Sequence, residues 1–300
     1  MEESLRGGTA VMGDVALRCP AYAEMRHRGV WGVSFLEVLG LRRRATNSML
    51  RLRRWQTLLM RSDGRVRVGL SPHAPYTTSA EAYQQTLALA DKRHMPLLTH
   101  VAETRAETEL MTRGEGELAG LIRRRGWLPE GSDWQAPGMS PVECLAEVGL
   151  LRKGTILVHV NYPEPGDLQR IADSGASVVF CPRSHEYFKH EEYPLRDMLR
   201  LGVNVALGTD SLASNDSLSM LKEAALVQRS FSDLPPLVLL DMLSANGARA
   251  LGLDAHVGQI KEGLASDMIA FQYPPGLPGA RGQRILEWIF SEAPSVRRVR

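Results

Sequence analysis

The 300-residue chain has little cysteine and no long uninterrupted apolar run. Its three cysteines, Cys19, Cys144 and Cys181, are far apart, odd in number and without a C-x-x-C pair. This pattern argues against a disulfide framework and favours a reducing compartment. No apolar stretch reaches membrane-spanning length, and residues 1–8 lack the basic and apolar regions of a signal peptide. We therefore expect a cytoplasmic protein with no membrane partner.

An excess of one charge sign is also lacking, because 36 basic and 34 acidic residues leave a net charge of +2. This balance gives no reason to expect a nucleic-acid partner. The arginine-rich segment 41–67 has apolar residues at helical spacing and no nucleic-acid motif, so we interpret it as the solvated back of a helix. We expect a small-molecule substrate, and a homo-oligomeric assembly is left open.

Seven short apolar runs are predicted to be β-strands, and helical patterns lie between many of them. The runs end near Asp14, Glu37, Leu70, His100, His159, Cys181 and Asp210. Helices predicted at 141–151 and 167–173 have apolar positions three or four residues apart and end near a glycine. Strand–helix alternation at this rhythm predicts an α/β protein with a parallel sheet. So many units predict a (β/α)8 TIM barrel, which needs one strand more than the seven counted.

The chain changes character after the seventh strand. Residues 218–229 and 237–251 are predicted helices, whereas 258–263 is typical of a hairpin turn and 266–271 of a short strand. An isolated hairpin is marginally stable, so these β-elements need another sheet to pair with. We therefore predict an incomplete barrel domain, 1–255, followed by a C-terminal β-segment and tail, 256–300. A looser stretch at 126–138 is interpreted as an insertion or lid.

Polar residues collect where the predicted strands end. His73, His100, His159 and Asp210 come from four different strands, and Glu103 follows His100 by three residues. In a (β/α)8 barrel, chemistry gathers at this end of the strands. A histidine that binds a divalent ion and a carboxylate that moves protons suit metal-assisted hydrolysis. Imidazole and carboxylate ligands together favour zinc or ferrous iron.

Five motifs follow one another in a characteristic order. They are Ser71-Pro-His-Ala-Pro-Tyr-Thr77, Thr99-His-Val-Ala-Glu-Thr104, Val158-His-Val-Asn161, Cys181-Pro-Arg-Ser184 and Ala206-Leu-Gly-Thr-Asp-Ser211. Together they resemble the amidohydrolase superfamily, in particular its branch of chlorohydrolases and purine-nucleoside-type deaminases. That branch includes the S-adenosylhomocysteine and aminodeoxyfutalosine deaminases. The tail, 246–267, is similar to the closing segment of the same family.

The resemblance implies a role for each polar side chain. His100 and Asp210 match metal ligands for one divalent ion, zinc or iron, and Asp210 also takes part in catalysis. Glu103 matches the proton-shuttling acid and His159 the histidine that orients the attacked group, so both also contact substrate. His73 matches a substrate-binding residue. The implied reaction is hydrolytic deamination of an aminated purine or nucleoside-like heterocycle, in which activated water attacks an sp² ring carbon and ammonia leaves.

The chain departs from the family on its N-terminal side. The family begins its barrel with an H-x-H pair, whereas the histidine before His73 is His27 and no H-x-H occurs in the sequence. The N-terminal strands that pair with the tail in a small β-sandwich are also missing, so 256–300 is interpreted as a remnant of that sandwich. We expect a family member that lacks its N-terminal portion. Such a chain should purify with far less than one equivalent of metal and without deaminase activity.

Two alternatives to a deaminase stay open. The same metal centre would serve hydrolytic removal of chloride from a heteroaromatic ring, and a substrate panel separates these reactions. A missing first strand and an unpaired tail are also compatible with a non-catalytic remnant that acts as a binding or interaction protein. Size-exclusion chromatography with a dye for exposed apolar surface tests that alternative.

Overall fold

The structure is a computed structural model that describes residues 1–16, 20–40, 64–125, 136–272 and 282–299. The predictions for Cys19, for the arginine-rich residues 41–63 and for the looser stretch up to residue 135 lie outside the described residues. Within the described ranges, every helix is too short or too polar to cross a lipid bilayer.

Seven parallel strands form one sheet in chain order. They are β1 (Val11–Ala16), β2 (Trp31–Val38), β3 (Val66–Pro72), β4 (Leu97–Val101), β5 (Thr155–His159), β6 (Ser177–Phe180) and β7 (Asn204–Leu207). Each strand pairs with its neighbours in sequence; in the β4–β5 pair, for example, His100 lies opposite Val158. The number of strands and their order along the chain confirm the seven predicted β-strands. Sheet and helices together form part of a (β/α) barrel.

Helices precede, separate and follow these strands. In and before the strand region they are Glu2–Arg6, Pro20–His27, Ala80–Arg93, Arg105–Arg113, Gly116–Arg124, Pro141–Glu147, Asp167–Ser174, Pro182–Tyr187 and Leu195–Arg200. After β7 come Met220–Ser230, Pro236–Leu243, Ala245–Ala250 and Gln283–Glu292. Ser79, Thr104 and Ser140 each accept a backbone N–H from the first turn of the helix that follows. Such side-chain caps satisfy donors that the helix itself leaves unpaired.

The prediction of a single helix over 237–251 is wrong, because the structure has two helices in this range. The first ends at Leu243 and the second starts at Ala245. Between them Ser244 has φ −131° and ψ −84°, outside the helical region, and its hydroxyl donates to the carbonyl of Leu240 at 2.6 Å. A serine that bonds back to the preceding turn competes with continuation of the helix.

Apolar side chains fill the interior of the sheet as well as the layer between sheet and helices. The interior cluster consists of Val33, Phe35, Leu98, Ile156, Val158, Cys181 and Ala250, with Leu251 packed against it. Ala250 and Leu251 belong to the end of helix Ala245–Ala250, far from the strands in sequence. Asn246 of this helix donates to the carbonyl of Val205 at 2.9 Å, which places the helix beside the N-terminal end of β7. The helix therefore closes the end of the barrel opposite the strand carboxyl ends.

The C-terminal segment forms its own small sheet. Strand β8 (Met268–Phe271) pairs antiparallel with β9 (Val296–Val299), which corrects the expectation of an unpaired tail. The short run Val-Arg-Arg-Val supplies the partner strand that the sequence analysis missed. From the helix between them, Ile289 and Phe290 pack into the main hydrophobic core. The predicted domain boundary between residues 255 and 256 stays a prediction.

Candidate active site

The carboxyl ends of four strands bring the predicted side chains to one end of the sheet. His100 lies in β4, His159 ends β5, His73 directly follows β3, and Asp210 lies shortly after β7. The ring centroids of His73 and His100 are 5.2 Å apart, and those of His100 and His159 are 5.5 Å apart. The structure therefore brings the three predicted histidines into one row across adjacent strands.

Hydrogen bonds orient two of these rings. The hydroxyl of Thr77 lies 2.7 Å from Nδ1 of His73 and 3.1 Å from the carbonyl oxygen of Ala74. Nδ1 of His100 lies 3.2 Å from the carbonyl oxygen of His73, and since a carbonyl only accepts, this nitrogen donates. Burial, helped by the neighbouring His100, lowers the pKa of His73 to about 4, and burial lowers the pKa of His100 as well. Both rings are neutral at neutral pH, and in His100 the lone pair is on Nε2.

Glu103 lies beside His159 in the loop after β4. Its Oε1 is 3.7 Å from Nε2 of His159. Burial raises the pKa of the Glu103 carboxyl, against the opposing effect of His100. Burial also lowers the pKa of His159 to about 4, although the nearby Asp210 opposes this shift. A neutral imidazole thus lies next to a carboxyl whose raised pKa suits it to both accept and donate a proton.

Asp210 is held as a carboxylate by three donors. Its Oδ2 accepts hydrogen bonds from the hydroxyls of Ser184 and Ser214, and its Oδ1 accepts one from the backbone N–H of Ser211, each at 2.7 Å. Burial alone would raise the pKa of Asp210, but the hydrogen bonds from Ser214 and Ser184 help to lower it below its usual value. Neither serine had a predicted role. Ser184 carried a signal, since it ends the matched motif 181–184, whereas Ser214 carried none.

Several residues at these strand ends have a left-handed backbone. The non-glycine residues with positive φ at the site are Ala102 (49°), His159 (76°), Val160 (55°) and Asp210 (56°). Such conformations cost about 1–3 kcal/mol each and cluster at functional sites. Here hydrogen bonds support them: the N–H of Val160 donates to the carbonyl of Val101 at 3.0 Å, and the hydroxyl of Tyr193 donates to the carbonyl of His159 at 2.9 Å.

His100 and Asp210 fit two ligand positions of a divalent metal site. His100 is neutral, and its Nδ1 bond to a backbone carbonyl is the arrangement that orients metal-binding histidines through Nε2. Asp210 offers a carboxylate of lowered pKa. Within the part of the chain that the structure describes, no three His, Cys, Asp or Glu side chains are grouped so that they could hold a metal ion. A catalytic zinc takes three protein ligands, so His100 and Asp210 would supply two of the ligands that such a site needs.

A cavity of about 500 Å³ lies next to this cluster, at the carboxyl end of β6. The residues lining it include Phe180, His185, His190, Tyr193 and Phe231. The hydroxyl of Tyr162 lies 3.1 Å from Nδ1 of His190, and His190 also interacts electrostatically with Glu103. His190 was not predicted, because it follows a helix and not the end of a strand.

A comparison with known proteins identifies the family of the chain. The amidohydrolase family model matches residues 17–296, and the chain belongs to this family. The 5-methylthioadenosine/S-adenosylhomocysteine deaminase of Pyrococcus furiosus is 37% identical over 206 residues, 66% of this chain and 43% of the relative. The chain spans about half the length of the curated relatives it matches.

Solved structures share the fold. The aminofutalosine deaminase of Helicobacter pylori superposes with a TM-score of 0.85 at 22% identity, covering 98% of this chain and 73% of that one. A zinc-containing adenosine deaminase from Xanthomonas campestris gives a TM-score of 0.79 at 24% identity, with 95% and 63% covered. At these identities the likeness establishes the fold, and it confirms the predicted barrel architecture.

Proposed function

We propose that this chain is the catalytic part of a metal-dependent hydrolase that deaminates an aminated purine or nucleoside-like heterocycle. The observation that carries the proposal is the approach of Glu103 to His159, 3.7 Å between carboxyl oxygen and ring nitrogen, at the strand ends that also bear His100 and Asp210. Membership of the amidohydrolase family and the similarity to a nucleoside deaminase support the same reaction class.

Each side chain has a task in this reaction. A divalent ion, zinc or iron, bound with His100 and Asp210 would supply Lewis-acid activation of water. Glu103, with its raised pKa, takes a proton from the attacking water and delivers it to the ring nitrogen. His159 orients the attacked group, and His73 binds the substrate. The second proton of the water passes to the exocyclic amine, so the carbon–nitrogen bond breaks, ammonia leaves and the attacked carbon ends as a carbonyl.

Ammonia release tests the proposal. The chain is assayed with excess zinc or ferrous iron, so that weak metal affinity does not limit turnover, on 5′-deoxyadenosine, methylthioadenosine and S-adenosylhomocysteine. Glu103→Gln should lower kcat by about 100-fold or more, because the proton carrier is lost. Zinc affinity, measured by chelator competition, should not change, since Glu103 is not assigned as a ligand. Undiminished turnover in Glu103→Gln would contradict the proton-transfer role, and the exposed Glu117→Gln is the matched control.

The same assay separates the remaining candidates. Chloride release from a chlorinated heteroaromatic ring, without ammonia release from the nucleosides, would identify a dechlorinating hydrolase. No turnover of any compound with excess metal would reject the enzymatic proposal for these 300 residues and favour a non-catalytic member of the family.

A further inference from the structure

Two buried side chains bind the backbone of Glu103 from opposite sides. The N–H of Glu103 donates to Oε2 of Glu107 at 2.9 Å. The carbonyl oxygen of Glu103 accepts from Nδ2 of Asn161, also at 2.9 Å. Glu107 is 1% exposed and Asn161 is 7% exposed. Because both polar groups of the residue are bound, the Cα atom that carries its side chain has a defined position.

Each of the two side chains is fixed by its own surroundings. Glu107 lies in the first turn of helix Arg105–Arg113, and its N–H donates to the hydroxyl of Thr104 at 3.1 Å. Asn161 follows β5, and its N–H donates to the carbonyl of Ala102 at 2.9 Å. Glu103 is therefore bound to its own helix on one side and to the loop that follows His159 on the other.

The local backbone needs this support. Ala102, directly before Glu103, has φ 49°, and Val160, directly before Asn161, has φ 55°. These left-handed conformations are unfavourable for residues with a side chain and persist when surrounding contacts enforce them. Relaxation of either residue would rotate the peptide of Glu103 and move its carboxyl away from His159.

The hydrogen bond to Glu103 uses one of the two carboxyl oxygens of Glu107. Its second oxygen, Oε1, is buried and has no hydrogen-bond partner among the described residues. A buried carboxyl with one unsatisfied oxygen is costly for stability. The other oxygen of this costly carboxyl is the one that binds the backbone of Glu103.

We propose that Glu107 and Asn161 are positioning residues that hold the Glu103 carboxyl within reach of His159 and the substrate. The role of Glu103 rests on the proposed function, whereas the binding of its backbone does not. Neither residue touches the reacting atoms, so losing one slows the chemical step and leaves substrate affinity intact.

Hydrogen exchange tests the backbone contact independently of activity. Glu107→Met removes the acceptor at similar volume, and Glu107→Gln keeps it. We expect the Glu103 amide to exchange at least about tenfold faster in Glu107→Met and in Asn161→Leu, and at the original rate in Glu107→Gln. Asn246→Leu is the matched control, because it removes the same type of bond, carboxamide to carbonyl, at the opposite end of the barrel. Unchanged exchange in Glu107→Met and Asn161→Leu would overturn the proposal.

Kinetics with excess metal test the consequence for catalysis. We expect kcat to fall about 10- to 100-fold in Glu107→Met and Asn161→Leu with KM within about twofold, and to recover in Glu107→Gln. A rise in KM at constant kcat would contradict positioning and indicate substrate contact. If the unmodified chain has no turnover, the proposed function fails while the exchange rates still decide the backbone contact. If Glu107→Met does not fold, Asn161→Leu provides both measurements.

Discussion

Asp210 receives its hydrogen bonds from two separate segments of the chain. Ser184 belongs to helix Pro182–Tyr187 after β6, and Ser214 belongs to the loop after β7; both are buried. Hydrogen bonds to an ionised group are stronger than those between neutral groups, so they fix the direction of the carboxylate as well as its charge. A carboxylate oriented in advance loses less conformational freedom when it binds a cation.

Removing one of these hydroxyls should weaken metal binding. Ser184→Ala takes away one of the two side-chain donors to Oδ2 of Asp210, so we expect zinc affinity to fall by about three- to tenfold and the free energy of unfolding by about 1–2 kcal/mol. Chelator competition and urea unfolding measure the two effects. Ser291→Ala, at an exposed helix position, should leave both unchanged. Equal zinc affinity in Ser184→Ala and the unmodified chain would show that the carboxylate keeps its orientation without this serine.

Glu107 should make stability depend on pH. Burial raises the pKa of its carboxyl from an ordinary 4.5 to about 8. Between these values the folded protein binds a proton that the unfolded chain has lost, so the free energy of unfolding falls as the pH rises through this window. Glu107→Gln stays neutral and should remove that part of the slope, on the order of a few kcal/mol in total. Urea titrations across the window measure it, and parallel slopes for both proteins would contradict the assignment.

The start of helix Pro141–Glu147 makes more side-chain hydrogen bonds than a simple N-cap does. Ser140 caps helix Pro141–Glu147: its hydroxyl accepts from the N–H of Glu143 at 3.0 Å, and the carboxyl of Glu143 accepts the N–H of Ser140 at 2.9 Å. The same hydroxyl donates to the buried Asp167 at 2.8 Å. The cap therefore joins the starts of two helices, because Asp167 opens helix Asp167–Ser174.

Ser140→Ala should lower the stability of the protein more than the loss of an ordinary helix cap does. We expect it to lower the free energy of unfolding by about 2 kcal/mol, because a helix donor and a buried carboxyl both lose a partner. Ser79→Ala, which removes a single cap bond to the N–H of Ala82, should cost about 1 kcal/mol. Thermal or urea unfolding of the two variants gives the comparison. Equal losses would mean that the contact with Asp167 contributes nothing.

Helix starts and strand ends could be predicted from sequence because they depend on neighbouring residues. Ser79, a residue type that favours helix N-caps, caps helix Ala80–Arg93, whereas the hydroxyl of Thr77 contacts Ala74 and His73. Helix Pro182–Tyr187 was not predicted, since a six-residue segment shows no apolar period. Asn161 ends the matched motif 158–161, but its contact with the carbonyl of Glu103 joins two loops that meet only in the folded chain.

Within the described residues, the seven-stranded sheet of the molecule has β1 and β7 as its edge strands. Exposed strand edges favour pairing with other chains, so the choice between monomer and homo-oligomer is open to experiment. Size-exclusion chromatography over a range of concentrations measures it. The cytoplasmic location and the missing N-terminal H-x-H segment stay predictions.

Metal content is the prediction for the chain as a whole. With His100 and Asp210 as its assigned ligands, we expect the 300-residue protein to purify with far less than one equivalent of metal, because a catalytic zinc site takes three protein ligands. Elemental analysis measures it. Adding an upstream H-x-H strand should raise the content toward one. Stoichiometric metal in the 300-residue protein would show that a residue not assigned here completes the site.

The helix that closes the lower end of the barrel also affects when folding can finish during synthesis. Leu251 packs against the interior cluster that contains Phe35 and Val158, although it leaves the ribosome after all seven strands. In a nascent chain that ends before this helix, the end of the barrel opposite the strand carboxyl ends would therefore be open to water, and its apolar side chains would be exposed. Chaperones that recognise exposed apolar surface would have the longest access to the nascent chain during this interval.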